Sequence, residues 1–321
     1  MTIERAILPL ALVATAACAR KTEQAGDPTS TTTKWVCEGD GGEDAIAFES
    51  GRGAIVATSI ETGQQRDVVR TNGAARSVVV AGGSIYWSDD KGIRSSEPGG
   101  GRARVLMLSP HVDTIATDGK RLVYSALDQL WLLDLARGDS RPFASLMSRY
   151  QDYPHIVVTP RAIYWGMVHI RGNFRVPEQD TLWSLALEPG ARPVRIASLD
   201  LLNGFCVGPA GQVVWLDGGP GPAYNPPGED AGRVTRLMTA GGPIAEIHAR
   251  SYAPLVATDT GFAFTTDVEG SIDVNLWHVT RHGSLTRIPT SLTVEGILLR
   301  VEDDAVVVEW DGKVRRVPIQ R

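Results

Sequence analysis

Histidine is the first residue type to examine for catalysis or metal binding in this chain. Of its six histidines, only His278 and His282 lie four positions apart. That spacing puts two imidazoles on one face of a helix, as in the H-E-x-x-H zinc motif, but these two flank a strand end and a turn. The G-x-S-x-G motif of serine hydrolases is also absent from the sequence. We therefore predict no catalytic residue, no resident metal and no cofactor.

Acidic residues around Asp217, Glu229 and Asp230 are the alternative metal-binding candidates. Carboxylates suit calcium, but the twelve-residue EF-hand pattern is missing. The glycine-rich segment 218–222 has neither the lysine nor the following helix of a phosphate-binding loop. These residues are more simply interpreted as side chains of a solvated loop.

Cys18 carries the clearest chemical signal. It follows the small residues Thr15-Ala16-Ala17, which end a 12-residue apolar run, 6–17, preceded by Arg5. A run of that length suits a signal peptide and is too short to span a bilayer. The segment resembles a bacterial lipoprotein signal, and the resemblance implies cleavage before Cys18 and lipidation of its thiol. An ordinary secretory signal is the alternative.

The chain therefore divides into a signal peptide, 1–17, a lipidated and flexible tether, 18–34, and one folded domain, 35–321. The tether is polar and threonine-rich, with no apolar periodicity. The 321 residues are 43% hydrophobic and 21% charged, with a net charge of −5. These values are typical of a globular protein and argue against a nucleic-acid-binding one.

The folded domain is predicted to be all-β and built from repeats. Short alternating runs rich in Val, Ile, Trp and Tyr recur between turn residues, and no segment keeps a helical apolar pattern for three turns. One strand type marks the repeat, with its central residues 37 to 50 positions apart: Phe48, Trp87, Tyr124, Trp165, Trp215, Phe264 and Val308. Four-stranded propeller blades need about 43 residues each, so we predict a single β-propeller of seven blades, or six if residues 35–50 pack irregularly.

The second repeat carries a family resemblance. Residues 82–106, GGSIYWSDDKGIRSSEPGGGRARVL, resemble one repeat of the YWTD-type and TolB-like β-propellers, and IYWG at 163–166 is a second, partial match. The resemblance implies that the Tyr-Trp pair packs between neighbouring blades and has a structural role. Large aromatic residues on a half-buried strand fill the space between twisted sheets, which supports the same conclusion.

The seventh repeat ends at its third strand, 313–319, so its outer edge needs a partner. We expect residues near 28–37 to supply that strand, with a three-stranded last blade as the alternative. Cys37 and Cys206 then fall on the inner strands of blades one and five, on different sides of the channel. A disulfide needs Cα atoms within about 7 Å, so two buried thiols are expected, with the disulfide as the alternative.

Enlarged loops suggest where a binding site lies. The connections after the second strands of blades two and three are short, whereas blades four, five and six carry long loops at 167–180, 217–232 and 266–274. Loops on a rigid scaffold often carry function, so we expect one raised rim for a protein or peptide partner. Its candidate binding residues are His169, Arg171, Arg175, Tyr224, Asn225, Asp267 and Asp273. Neutral variation of surface loops is the alternative.

The inner strands are mostly apolar, which favours binding over catalysis. We therefore predict a monomeric, non-enzymatic propeller in the bacterial cell envelope, held to the membrane by the lipid on Cys18. It would bind an envelope protein or peptide, and it would not bind nucleic acid. The alternative is a propeller hydrolase or lyase with its site at the channel mouth.

Overall fold

A computed structural model shows an all-β protein. It describes residues 36–37, 53–58, 65–71, 75–97, 102–109, 111–146, 151–171, 174–175, 180–218, 234–251, 255–268, 273–289, 292, 297–301, 305–310 and 313–318. Within these ranges, 27 strands form seven antiparallel sheets. Among the described residues, no helix is long and apolar enough to cross a membrane.

Each sheet is a blade, and the blades follow one another in chain order. After the short β1 (Val36–Cys37), blades one to three contain β2 (Ala54–Thr58) and β3 (Gln65–Arg70); β4 (Ser77–Ala81), β5 (Ser84–Asp89), β6 (Gly92–Ser96) and β7 (Arg104–Leu108); β8 (Val112–Thr117), β9 (Arg121–Ala126), β10 (Gln129–Asp134) and β11 (Ser140–Ser145). The inner strands of neighbouring blades touch, β4 against β8 for example.

Blades four to seven continue the same up-and-down order. Blade four has an additional short strand, β14, and β1 adds to the sheet of blade five. Blade four contains β12 (Gln151–Val158), β13 (Ala162–Arg171), β14 (Phe174–Arg175), β15 (Asp180–Ala186) and β16 (Val194–Leu199); blade five, β17 (Leu202–Val207), β18 (Val213–Asp217), β19 (Thr235–Thr239) and β20 (Gly242–Ile247); blade six, β21 (Val256–Ala257), β22 (Gly261–Asp267), β23 (Val274–Thr280) and β24 (Leu285–Ile288); blade seven, β25 (Ile297–Val301), β26 (Ala305–Trp310) and β27 (Lys313–Pro318). The prediction of a β-propeller with four-stranded blades is confirmed, and the seven sheets match the seven predicted repeats.

The Tyr-Trp pair packs between blades as expected. Trp87 is fully buried against Ile55 and Val69 of blade one, whereas Tyr86 joins Val112 and other side chains of blade three. Successive residues of a strand point to opposite faces of the sheet, so each blade contacts both of its neighbours through one strand.

The other marker residues lie in the same place. Tyr124, Trp165, Trp215, Phe264 and Val308 each join a cluster that contains side chains of the preceding blade. Trp165, for instance, meets Val123 and Leu130 of blade three. The remaining marker residue, Phe48 of the first repeat, lies outside the described residues.

Threonine side chains close the turns between the first and second strands. Thr117 Oγ1 accepts a hydrogen bond from the Gly119 amide and donates to the Arg121 carbonyl, at 3.0 and 2.6 Å. Thr159 and Thr258 make comparable bonds in blades four and six. A hydroxyl that satisfies local backbone groups keeps these turns short.

Of residues 28–37, which were expected to complete the last blade, Val36 and Cys37 do not do so, and residues 28–35 lie outside the described residues. Val36 and Cys37 pair with Val207 and Cys206 of β17, so the N-terminal strand belongs to blade five. The described strands of blade seven number three, which is the alternative the sequence left open. The expected separation of the two cysteines is wrong as well, because they are direct cross-strand neighbours and Cys206 is disulfide-bonded.

Candidate binding rim

The blades have two different ends. At the turn end, the first strand of a blade connects to the second through a tight turn. At the opposite end, which we call the rim, the second strand connects to the third. The described candidate binding residues all lie at the rim: His169, Arg171, Arg175, Asp267 and Asp273. Tyr224 and Asn225 lie outside the described residues, as do the loop segments 219–233 and 269–272.

The second strand of blade four continues further past its marker residue than the other second strands that the structure describes. The segment 167–171 was expected to be loop, but it continues β13, and its backbone pairs with β12 as far as Ile170 opposite Gln151. β13 ends six residues after Trp165, whereas β5 ends two residues after Trp87. At about 3.3 Å per residue, blade four extends roughly 13 Å further.

This extension carries the basic candidates. His169 lies opposite Asp152 on β12, and Arg171 is the last residue of β13, opposite Phe174 of β14. Arg175 pairs with Ile170 across the same hairpin. The structure therefore places all three basic candidates on one hairpin. His169 and Arg171 occupy alternate positions of one face, and Arg175, opposite Ile170, occupies the other face.

The acidic candidate Asp267 fastens the backbone at the base of the rim. Its Oδ1 accepts a hydrogen bond from the Arg250 amide at 2.8 Å, and its own amide donates to the Arg250 carbonyl at 2.9 Å. Arg250 lies in the segment that leads from blade five into blade six. Asp267 thus ties the end of β22 to the incoming chain, and Asp273, the other acidic candidate, is exposed at the start of the next strand.

Two further carboxylates also accept hydrogen bonds from the backbone of an incoming segment, a role that the sequence analysis did not predict for them. Asp217 Oδ1 accepts from the Leu201 amide at 3.3 Å, and the Gly218 amide donates back to the Leu201 carbonyl at 2.8 Å. The buried Asp180 accepts from the Leu202 amide at 2.8 Å, which links blade four to blade five. A carboxylate that accepts hydrogen bonds from backbone amides forms charge-assisted bonds, which are stronger than neutral ones. These two bonds therefore hold the start of blade five at the base of the rim.

Opposite charges also meet on blade five. Arg236 lies directly across from Asp217, and its Nε donates to Glu246 Oε2 at 2.8 Å. This hydrogen bond, and the negative charges of Glu246, Asp217 and Asp200, raise the pKa of Arg236. Its positive charge is therefore balanced within the blade.

Hydroxyl and amide groups form a small network where blades five and six meet at the rim. Asn203 Nδ2 donates to Ser251 Oγ at 2.6 Å, and Ser251 forms a bridge with Thr266. Trp277 Nε1 donates to Thr266 Oγ1 at 2.9 Å. The neighbouring Asn275 has a buried Oδ1 with no hydrogen-bond partner in the described residues. Sequence reasoning missed this group because its members are spread over 75 positions and share no motif.

One ion pair lies between the inner strands of blades two and three at this end. Arg76 Nη1 and Asp113 Oδ1 are 3.2 Å apart, with side chains 41% and 69% exposed. Solvent screens such a pair, so it contributes little to stability. Asp113 sits at an irregularity in β8, where the register shifts between Val112 and Ile115.

The two histidines that are close in sequence lie at the turn end of blade six, away from the rim. His278 Nε2 is 3.0 Å from Thr258 Oγ1 and 3.2 Å from Thr260 Oγ1, and burial lowers its pKa. Among the described residues, no group of three or more His, Cys, Asp or Glu side chains is placed to hold a metal ion.

Comparison with known proteins identifies the fold and no family. No protein-family model matches the chain, and no curated protein matches it. Among solved structures, hydrazine synthase from Kuenenia stuttgartiensis aligns over 91% of this chain and 99% of its own, with 12% identity and a TM-score of 0.54. Acylaminoacyl peptidase from Pyrococcus horikoshii aligns over 86% of this chain, with 12% identity and a TM-score of 0.51, and the chain spans 50% of its length.

A calcium-binding protein, regucalcin from Agrobacterium tumefaciens, aligns over 74% of this chain and 88% of its own, with 14% identity and a TM-score of 0.41. The structural neighbours are β-propellers, and they include enzymes as well as non-enzymes. At these identities the likeness establishes the fold alone, because unrelated functions share one scaffold.

Proposed function

We propose that this protein is a lipid-anchored β-propeller of the bacterial cell envelope that binds a protein or peptide through its rim on blades four to six. The observation that carries the proposal is the β13–β14 hairpin. It places His169 and Arg171 on β13 and Arg175 on β14, in a part of the blade where the second strands of blades three and five have already ended. A binding residue on regular structure loses little conformational freedom when a partner docks.

The partner that fits this hairpin best carries acidic groups. Arginine side chains bind carboxylates through paired hydrogen bonds, and they are frequent among the residues that dominate binding energy. The loops of blades five and six add acidic residues and the aromatic Tyr224 from the neighbouring positions. A mixed surface of this kind suits a folded protein or an extended peptide.

Charge reversal on the hairpin tests the proposal. The rim variant is the full chain with His169→Glu, Arg171→Glu and Arg175→Glu. A matched control reverses three exposed basic residues at other places, with Lys120→Glu, Arg137→Glu and Arg161→Glu. Each protein, with its melting temperature checked, serves as bait in envelope extract, followed by quantitative mass spectrometry.

We expect at least one protein to bind the native chain and the control equally and to fall at least tenfold with the rim variant. Equal recovery with all three baits would show that the hairpin is not the binding surface. If no protein is captured by any bait, the catalytic alternative at the channel mouth becomes the better hypothesis, and screening for hydrolase and lyase activity tests it.

The membrane anchor has a separate test. Cells that express the full chain are labelled with a radioactive fatty acid and fractionated, and the Cys18→Ser variant is treated identically. We expect the native chain to carry the label and to sediment with membranes, and the variant to do neither. An unlabelled native chain in the soluble fraction would exclude lipidation.

A further inference from the structure

The N-terminal strand β1 lies in an unexpected place. Its two residues pair with the first strand of blade five, although β1 precedes blade one in the sequence. It lies on the side of β17 opposite β18, which is the inner edge of that sheet, and it also contacts β21 of blade six. The start of the domain is therefore held by blades half a ring away.

We infer that Cys37 and Cys206 form a disulfide that staples β1 to the inner edge of blade five. Cys206 is disulfide-bonded, and the chain has only two other cysteines, Cys18 and Cys37. Cys37 is the direct cross-strand partner of Cys206. Opposite residues of an antiparallel pair have Cα atoms about 4.5–5.5 Å apart, inside the range that a disulfide spans.

The side-chain alternation of the two strands agrees with this pairing. Val36 packs against the cluster that contains its partner Val207 and faces blade four. Cys206 belongs to the next cluster, which faces blade six, and its Sγ lies 3.7 Å from the Leu255 carbonyl oxygen. Successive residues of a strand face opposite ways, so the position after Val36 shares the face of Cys206.

The bond forms by oxidation of two thiols. They release two protons and two electrons, and a disulfide oxidant accepts both electrons and becomes two thiols. Cys206 is fully buried, so the finished bond is shielded from reductants in solution. A buried structural disulfide persists in an oxidising compartment, which is where an exported chain folds.

The direction of β1 determines where the preceding chain leaves the propeller. In blade five, Val207 pairs with Val213 at the turn end, and Leu202 pairs with Asp217 at the rim. Because Val36 lies opposite Val207, the chain enters β1 at the turn end and runs toward the rim. The tether therefore departs from the end opposite the binding hairpin.

Peptide mapping of the full chain tests the disulfide. Trypsin without reductant should release peptide 35–52 linked to peptide 196–233, and the link should persist in a Cys18→Ser variant. A Cys206 peptide that is free, joined to Cys18 or joined to a second chain would overturn the assignment. Reduced glutathione under native conditions should leave the link intact, whereas the same treatment in urea should break it.

The stabilising effect gives a second readout. The closed loop spans 168 intervening residues, and a long loop loses much entropy when it is cross-linked in the unfolded state. We expect Cys37→Ala to lower the melting temperature by about 10 °C. Cys18→Ser is the control and should leave it unchanged, and an unchanged value for Cys37→Ala would contradict the stapling role.

Cross-linking tests the direction of β1. In a Cys37→Ala/Cys206→Ala background, Val36→Cys should form a disulfide with Val207→Cys and not with Phe205→Cys, which a parallel strand would favour. Since these core changes can impair folding, the native chain is also treated with an amine cross-linker. Lys34 should link to Lys120 at the turn end in preference to Lys91 at the rim. The opposite preference would refute the exit direction, whether or not the rim binds a partner.

Discussion

Asp89 and Asp217 occupy the same position of the repeat, two residues after a buried tryptophan, and they do different work. In blade two, Asp89 folds back on its own two-residue turn and accepts hydrogen bonds from Lys91 and Gly92, at 2.8 and 3.1 Å. In blade five, Asp217 holds the segment that enters the blade, through the Leu201 amide. In each blade the aspartate accepts hydrogen bonds from the backbone amides that lie nearest, and the length of the connection after the second strand determines which amides these are. A short connection is closed by its aspartate, and a long one frees the aspartate to fasten the base of the rim.

The largest expected effect is at the short connection. Asp89 is 1% exposed, and its Oδ2 lies 2.5 Å from Nε of the half-buried Arg94. Asp89→Ala leaves that guanidinium and two turn amides without their acceptor, and should lower the free energy of unfolding by about 4 kcal/mol. Urea titration measures it. The exposed neighbour gives the control, since Asp90→Ala should change stability by less than about 0.5 kcal/mol. Equal effects would mean that the turn does not depend on the Asp89 carboxylate.

A glycine in each connection sharpens the comparison. Gly92 has a φ of +145°, and a Cβ there would collide with the Met107 backbone carbonyl. Gly92→Ala should therefore cost about 3 kcal/mol. At Gly218 a Cβ would meet mainly the movable side chain of Leu201, so Gly218→Ala should cost about 1 kcal/mol. Chemical denaturation of both variants gives the ranking, and a larger loss at Gly218 would reverse the conclusion that the short turn is the more constrained.

The aspartate hydrogen bonds at the base of the rim should each contribute less to stability than those of Asp89. Asp267 is half-buried with a 2.8 Å bond to Arg250, and Asp217 is half-buried with a 3.3 Å bond to Leu201. We expect Asp267→Ala to cost about 1 kcal/mol and Asp217→Ala less. Hydrogen exchange of the Arg250 and Leu201 amides should accelerate in the respective variants. An unchanged exchange rate would show that these carboxylates do not secure the incoming segments.

The smallest expected effect is at the turn end of blade six, away from the rim aspartates. Burial lowers the pKa of His278 below its ordinary value of 6.5, so the unfolded chain takes up a proton more readily than the folded one. The stability that this group contributes is complete above pH 6.5 and is lost as the pH falls from there toward the lower pKa of the folded state.

Melting curves between pH 5 and pH 8 test this. The native chain should lose more stability below pH 6.5 than His278→Gln, whose amide can still bond to Thr258 and Thr260. His282→Gln, at an exposed site, should follow the native curve. Parallel curves for the native chain and His278→Gln would rule out this contribution.

Local pattern was enough to predict the blades. The recurring strand followed from alternating apolar residues, and the burial of Trp87 and Trp165 followed from their place in the repeat. Both depend on neighbours a few residues away or one repeat away. The blade-four hairpin was missed because His169 and Arg171 resemble loop residues, and only their pairing with β12 makes 167–171 a strand.

The sequence by itself determined an all-β chain with seven strand repeats, marker residues that pack between blades, and an unusually long set of connections in blades four to six. Only the tertiary structure decided which amides the rim aspartates bind, that a basic hairpin rises from blade four, and that β1 joins blade five at Cys206. The physical reason is the range of the interactions. Alternation and turn chemistry act between near neighbours, whereas the cross-strand partner of Cys37 lies 169 positions away and is set by the packing of whole blades.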